Sequence, residues 1–470
     1  MNGTGSFDSL TAGQDWIATP DVLLSPDGPR HRWSASIVGG TFSTVGPTER
    51  VREQHPGLDE MDLTGQLMMP GFVDTHQHLT QVFAKVLIGA QPAQIWKRMW
   101  LPLYGAMDPH DAYLAAKWTA LESLRGGFTT IVTAGERDPL KVEPIEQAIG
   151  ESGIRCVMAH DFSDLAGGPP SAEPADPEAV RECVRQAGDY LSRPSQNSRL
   201  IRAVTCASHQ SASLELIAAL SRLSAEMSVV FQIHSNEHTP EVEWCLDTYG
   251  RRPIELLHDI GALGPQALLA HATLVSSTEV GLLQDSGTGV SYNPVASAWK
   301  GNAVAPALEY ANRGIPFGLG TDATRNDGFR LMDAAETAQR LTFGMRTIDW
   351  SSGDGRLWLH AATRNGAAAA CLGEVTGSIA EGLRADFLVV GCEEPEVLPS
   401  WDLEWELVRH YDRTNLRAVF VDGEATVIDG EPVGWDLDRF MGEAAEAGRR
   451  AARNADMTLI GRDPRGLDPA

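Results

Sequence analysis

Among the 13 histidines of this 470-residue chain, His76 and His78 form an HxH pair just after an apolar stretch, MMPGFVD (68–74). His234 ends another, SVVFQIH (228–234), His271 lies at the end of ALLAHA (267–272), and Asp322 closes IPFGLGTD (315–322). Three imidazoles with one carboxylate make an open-sided donor set suited to Zn²⁺, with Fe²⁺ the alternative. On extended backbone an HxH pair puts both rings on one face, because strand side chains alternate with a period of two. Each feature alone has a plainer reading: a lone HxH arises by chance, and an acid after GLGT can cap a helix. Their joint placement at the ends of apolar runs is what argues for a site. His31, His55, His110, His160, His258, His360 and His410 lack this company and read as structural or surface residues.

The elements that must gather these residues follow from periodicity. Short β-branched runs alternate with longer helical patterns, which indicates βα units around a parallel sheet. Beside the four runs above, strands are expected at FTTIVTA (128–134), IRCVMAH (154–160), IRAVTCA (201–207) and GVSYNP (289–294). HDAYLAAKWTALESLRGG (110–127) and SLELIAALSRLSAEM (213–227) read as intervening helices. Eight such strands over roughly 250 residues are the arithmetic of a (β/α)8, TIM-like barrel, whose strand C-termini share one rim. A doubly wound open sheet is the competitor, but no Gly-rich fingerprint follows a strand.

The two chain ends carry a different pattern. DWIATP, DVLLSPDGP and SASIVGGTFSTVG at the start, and ADFLVVG and RAVFVDGEATVIDGEP near the end, are short β-prone pieces broken by turn residues. They predict a small antiparallel β-sandwich domain built from both ends, with a hairpin at Asp422–Gly423. The expected division is 1–67 and 373–435 for that domain, 68–372 for the barrel, and 436–470 for a C-terminal helix and tail. The stretch 163–179, rich in Pro, Ala and acid, reads as a surface loop, and 454–470 as a loosely held tail.

Composition narrows the class. Hydrophobic residues are 43% and charged residues 21%, enough for a sizeable core. The formal charge of −25 argues against nucleic-acid and membrane-surface partners. No apolar run reaches 18 residues, and the N-terminal residues show no secretory pattern. Cys156, Cys183, Cys206, Cys245, Cys371 and Cys392 include no CxxC and read as buried thiols of a cytoplasmic protein. Neither HExxH nor the PCxxC of the small zinc deaminases occurs.

PGFVDTHQH (70–78), HSNE (234–237), LLAHATLV (268–275), GLGTD (318–322) and ATRNGAAAACLGEVTGSIAEGLRADFLVV (362–390) together resemble the amidohydrolase superfamily. The resemblance is to its cytosine/guanine deaminase and triazine hydrolase branch and spans roughly residues 15–435. It implies a barrel holding one or two divalent metals, the two-metal members using a carboxylated lysine as a bridge. No lysine lies between Lys141 and Lys300, so the one-metal form is implied, with His76, His78, His234 and Asp322 as ligands. The bound metal would activate a water, Glu237 would move protons to a ring nitrogen and the leaving group, Asp322 would also accept a proton, and His271 would stabilise developing charge. His209 matches a substrate-contacting histidine of some relatives, or is an ordinary loop residue.

The implied reaction is hydrolytic deamination of a nitrogen-bearing cyclic small molecule. The alternatives are a chlorohydrolase, an N-alkylamine hydrolase or a cyclic amide hydrolase on the same frame, and, more remotely, a non-catalytic scaffold. Relatives imply a homodimer or larger homo-oligomer. The chain departs from the family in NPVASAWKGN (293–302) and GTDATRNDGF (320–329), which puts Trp299, Lys300 and Arg325 on the rim as candidate substrate contacts. Lys300 and Arg325 would favour an anionic substrate, unless they are solvated loop charges. Trp96, Trp100 and Tyr104 form either an aromatic wall or the face of a packed helix.

Overall fold

Turn residues divide the N-terminal region into five strands: β1 (Trp16–Ser25), β2 (Gly28–His31), β3 (Trp33–Val38), β4 (Thr41–Pro47) and β5 (Asp59–Pro70). The computed structural model describes residue 7 and residues 13–91, 95–165, 173–345, 348 and 352–460. The strand expected over 68–74 is in fact two: β5 ends at Pro70, and β6 (Phe72–Gln77) begins the barrel. Gly71 makes the crossing between them, because a Cβ there would lie 2.1 Å from the Thr129 hydroxyl oxygen.

The other barrel strands are β7 (Phe128–Thr133), β8 (Arg155–Asp161), β9 (Leu200–Ser208), β10 (Phe231–Ser235), β11 (Ala267–His271), β12 (Gly289–Tyr292) and β13 (Phe317–Leu319). All eight pair in parallel in chain order, as the apolar runs predict. The Asp322 N–H donates to the His76 carbonyl at 2.9 Å and links the end of the series back to its beginning. Gly320 permits that approach: a Cβ there would meet the Asn293 Oδ1 at 2.2 Å and the His76 Cβ at 2.9 Å. Helices Pro109–Arg125 and Leu214–Glu226 stand close to where periodicity puts them. The first is closed by a reciprocal Asp108–Asp111 box, and the second by the Ser213 hydroxyl accepting from the Leu216 N–H.

After the barrel come β14 (Phe387–Gly391), β15 (Leu416–Val421), β16 (Glu424–Ile428) and β17 (Glu431–Pro432). They join the first five strands in one nine-stranded sheet, ordered β17-β16-β15-β14-β5-β1-β3-β4 with β2 on β1. The join is β14 against β5, from Phe387 opposite Pro70 to Gly391 opposite Gln66. The sheet is not wholly antiparallel: β1 and β5 run parallel, since the β2–β4 excursion and helix Thr48–Gln54 return the chain in its original direction. The sheet curls on itself, because Phe42 of β4 and Phe387 of β14 are 6.0 Å apart although four places separate their strands. Asp422 and Gly423 both take positive φ, 51° and 73°, as a two-residue hairpin turn requires.

A buried ion cluster fastens barrel to sheet. The Arg155 guanidinium, 1% exposed, donates to both Asp386 oxygens at 2.8 and 3.0 Å and to Asp422.

Two loop expectations are corrected. Within 163–179 a helix begins at Pro177, because the Asp176 carboxylate accepts the Glu178 N–H and Pro177 sits where no N–H is needed; residues 166–172 lie outside the described set. The C-terminal helix is Leu437–Asn454, and in the stretch after it, expected as a loose tail, residues to Ile460 are held rather than loose. The Thr458 N–H donates to the Arg98 carbonyl (3.0 Å), the Ile460 N–H to the Gln91 side-chain oxygen (2.8 Å), and Met457 is buried. The thiols also differ from expectation: Cys156, Cys206 and Cys245 are buried, Cys183 and Cys392 half-buried, and Cys371 exposed. No helix among the described residues is long and apolar enough to cross a membrane.

Candidate metal centre

Four strand ends deliver the donors. His76 lies in β6 and His78 just beyond it, their rings 85° apart with centroids separated by 5.0 Å. His234 lies in β10, His271 ends β11, and Asp322 follows β13. His271 and Asp322 hold φ of 77° and 49°, a strained conformation for residues with a Cβ that aims their side chains across the rim. The His78 Nε2 stands 3.3 Å from both the His234 Nε2 and the Asp322 Oδ1, and the His76 Nε2 is 3.7 Å from that same oxygen. Two overlapping trios, His76–His78–His234 and His76–His271–Asp322, each bring one ligand atom per residue within 4.8 Å of one another. The His76 Nε2 and Asp322 Oδ1 are buried without a hydrogen-bond partner, which fits a cation as their common partner; the His271 Nε2 is buried and unpartnered beside them.

Hydrogen bonds behind the rings divide the histidines into two kinds. The Gln232 amide donates its N–H to the Thr75 carbonyl (2.9 Å), so its oxygen faces the His76 Nδ1 at 2.8 Å and must accept. The His234 Nδ1 faces the Ala207 carbonyl at 2.6 Å, again an acceptor. In both rings Nδ1 therefore carries the proton and Nε2 offers a lone pair. His271 is reversed. The Ser291 hydroxyl donates to the Asn293 Oδ1 (3.0 Å), which turns the Asn293 NH₂ toward the His271 Nδ1 at 3.2 Å. Its Nε2 thus bears a hydrogen and points toward Glu237 Oε1 (3.7 Å) and Asp322 Oδ2 (3.8 Å). Burial and neighbouring imidazoles push His234 down to about 3 and hold His76 well below its ordinary value, and burial lowers His271 as well. Neutral rings are what metal ligation needs.

The two acids share one cation. The Lys300 Nζ lies 2.5 Å from Asp322 Oδ2 and 3.0 Å from Glu237 Oε1, and the Asn302 amide donates to the same Glu237 oxygen at 3.1 Å. Burial alone would raise both carboxyls, but His271 and Lys300 hold Glu237 well below the usual range, and Lys300 with the facing histidines does the same for Asp322. Asp322 thereby divides its oxygens, Oδ1 toward His76 and His78 and Oδ2 to Lys300 and, at longer range, His271.

Sequence reasoning passed over Gln232, Asn293, Asn302 and Asp74. Asp74 accepts from the His76 N–H (3.1 Å) and from the Thr321 N–H and hydroxyl (3.0 and 2.5 Å), and burial pushes its carboxyl up to about 7. A signal was present: Asp74 and Gln232 each stand two residues before a histidine on the same strand, hence on the same face.

A cavity of about 290 Å³ opens beside His78 and His234. Trp96 and Tyr104 meet edge to face at 5.7 Å on its wall, with Leu79, Leu101 and Met158. Trp100 instead is buried in the core, while Trp96 and Tyr104 line the cavity. The remaining rim candidates stand elsewhere. His209 is fully buried, its Nε2 facing the Pro253 carbonyl at 3.1 Å and its Nδ1 facing Glu241 at 3.2 Å. Trp299 is 45% exposed, Arg325 is exposed, Lys300 is taken up by the two acids, and none of His209, Trp299, Lys300 or Arg325 lines the cavity. Of the two cations expected to favour an anion, Lys300 already has two carboxylate partners and Arg325 is exposed.

An eight-stranded parallel barrel with histidines and an acid at its rim defines a class, and the sequence match agrees. Residues 67–432 match the amidohydrolase family, and the chain belongs to that family of hydrolases. It is 28% identical over 436 residues to a 5-methylthioadenosine/S-adenosylhomocysteine deaminase of Nitratidesulfovibrio vulgaris (strain Miyazaki F), covering 92% of this chain and 95% of that one. An adenosine deaminase from Xanthomonas campestris with bound zinc has the same fold, with a TM-score of 0.83 at 19% identity over 94% of this chain and 99% of that one. So does an atrazine chlorohydrolase from Arthrobacter aurescens TC1 complexed with zinc, with a TM-score of 0.80 at 21% identity over 92% and 99%.

Proposed function

We propose that this protein is a metal-dependent deaminase that replaces the exocyclic amino group of a nitrogen heterocycle, of the aminopurine kind, by oxygen and releases ammonia. The observation that carries the reading is the convergence of neutral imidazole nitrogens and the unpartnered Asp322 Oδ1 at one point of the rim. His76, His78, His234 and Asp322 would hold a single divalent ion, Zn²⁺ by the chemistry of three nitrogens and one oxygen. When bound, such an ion acts as a Lewis acid and brings the ionisation of water toward neutral pH.

The chain's own groups do the rest. Glu237, kept ionised by His271 and Lys300, takes one proton from the attacking water and gives it to a ring nitrogen, then takes the second from the new hydroxyl and gives it to the departing amine, which leaves as ammonia. The His271 Nε2–H donates to the oxygen that gains negative charge at the attacked carbon. Lys300 keeps Asp322 and Glu237 charged together in a buried place where two bare carboxylates would repel. Relatives that deaminate adenosine-type molecules support an aminopurine ring.

The test is metal content by elemental analysis, joined to an ammonia-release screen over purines, pterins, pyrimidines and triazines, with His234→Ala as control. Bound zinc or iron with ammonia from one ring class, lost in the control, is the expected result. A metal-loaded chain releasing chloride from a chlorotriazine but no ammonia turns the reading to halide hydrolysis. A chain with neither metal nor turnover leaves a scaffold.

A further inference from the structure

The cavity beside His78 and His234 has a charged end that the reaction above does not use. Three acids and two bases stand there, and the bases are already engaged. Arg137 reaches Asp161 Oδ2 through Nε (2.9 Å) and Nη2 (2.8 Å), while Lys141 donates to the Tyr104 carbonyl (2.7 Å) and lies 3.4 Å from Asp138. Glu136 is different. It accepts only the Asp138 N–H, at 2.8 Å on Oε1, and has no cation within ion-pair distance among the described residues. Burial, together with Asp138 and Asp161, pushes its carboxyl up against the opposing Asp138 N–H and Lys141. A half-buried carboxylate with spare acceptor capacity and acidic neighbours is an unbalanced charge, which a positive ligand would balance. The same cavity carries the Trp96–Tyr104 pair, with Trp96 40% exposed, and aromatic rings of this kind attract cations.

We propose that this end of the cavity recognises a positively charged nitrogen substituent, a protonated amine or guanidinium, carried by the heterocycle away from the attacked carbon. Glu136 is the specificity-determining residue, and the two aromatic rings are its partners. The proposal deepens the deaminase reading and rests on it, and it reverses the anionic preference that the sequence suggested. A neutral hydroxylated substituent could also donate to Glu136, but it would leave the charge unbalanced.

The experiment compares adenine carrying 3-aminopropyl, 3-guanidinopropyl, 3-hydroxypropyl or 2-carboxyethyl at N9, on the metal-loaded wild type, Glu136→Gln and Glu136→Asp. The amine or guanidine is expected to lead the hydroxyl compound on the order of tenfold in kcat/KM, expressed in KM rather than kcat. Glu136→Gln brings the cationic compounds down to the hydroxyl level, and Glu136→Asp restores part of the lead. Equal turnover of all four, a lead for the carboxylate, or a preference that persists in Glu136→Gln overturns the proposal. If wild type releases no ammonia from any of them, the deaminase reading has failed for this ring. Binding followed by tryptophan fluorescence then still decides: tighter binding of the cationic compounds, lost in Glu136→Gln, upholds the subsite, and its absence sinks it. Thermal melting and metal content identify any variant that has lost its fold.

Discussion

Glu237 and Asp322 are 85 positions apart in the chain yet answer to one ammonium, and that closeness sets the first expectation. Glu237→Gln keeps the shape and the Asn302 contact but cannot take a proton. Its kcat for ammonia release should fall by about 10²–10⁴-fold, with metal content unchanged; loss of the metal instead would make Glu237 a ligand. Outside the donor set, His160 packs on Phe162 (4.3 Å) and Tyr190 (5.2 Å), and burial pushes it down to about 4. As pH falls from 6.5 toward 4, the unfolded chain takes up a proton that the folded one refuses, so stability contributed by the neutral ring is lost across that window. Thermal melts at pH 5 and 7.5 should show His160→Asn losing less on acidification than wild type. The histidines of the rim were legible because their spacing matches strand geometry. The role of Lys300 was not: its partners lie 63 and 22 residues away, so only folding reveals that two carboxylates claim it.

At the scale of elements, all eight barrel strands could be read from apolar runs because parallel strands buried on both faces have no alternation to misread. One strand boundary was misplaced where two sheets touch. Pro70–Gly71 is locally continuous with its neighbours, and nothing local says that the chain changes sheets there. The parallel β1–β5 pairing was hidden for a similar reason, since direction depends on how the intervening chain returns. Arg155 and Asp386 belong to different sheets, and their pairing is the prediction at this scale. Asp386→Ala leaves a buried guanidinium short of its main partner and should cost about 3–5 kcal/mol, read as a lowered denaturant midpoint. A loss below about 1 kcal/mol, the worth of an exposed pair, would show that Asp422 alone satisfies Arg155.

For the whole molecule, the C-terminal helix lies on helix Pro109–Arg125, through buried Phe440, Ala444, Ala447 and Ala451 and the Arg450–Asp111 pair. The residues after it are hydrogen-bonded to the segment that supplies Trp96 and Tyr104. Turn-rich composition made this stretch look loose, because its order comes from a partner more than 350 positions away. A chain ended at Ala455 should keep its barrel and its metal but bind substrate less well. KM is expected to rise several-fold with kcat little changed, and an unaltered KM would uncouple the tail from the aromatic wall. Molecular order also governs when chemistry can start. Since the amide of Asp322 closes on the carbonyl of His76, a nascent polypeptide still short of that acid has its imidazoles but not the carboxylate beside them. Biosynthesis thus withholds the complete donor set until the last barrel strand has emerged, and no half-made product can acquire it.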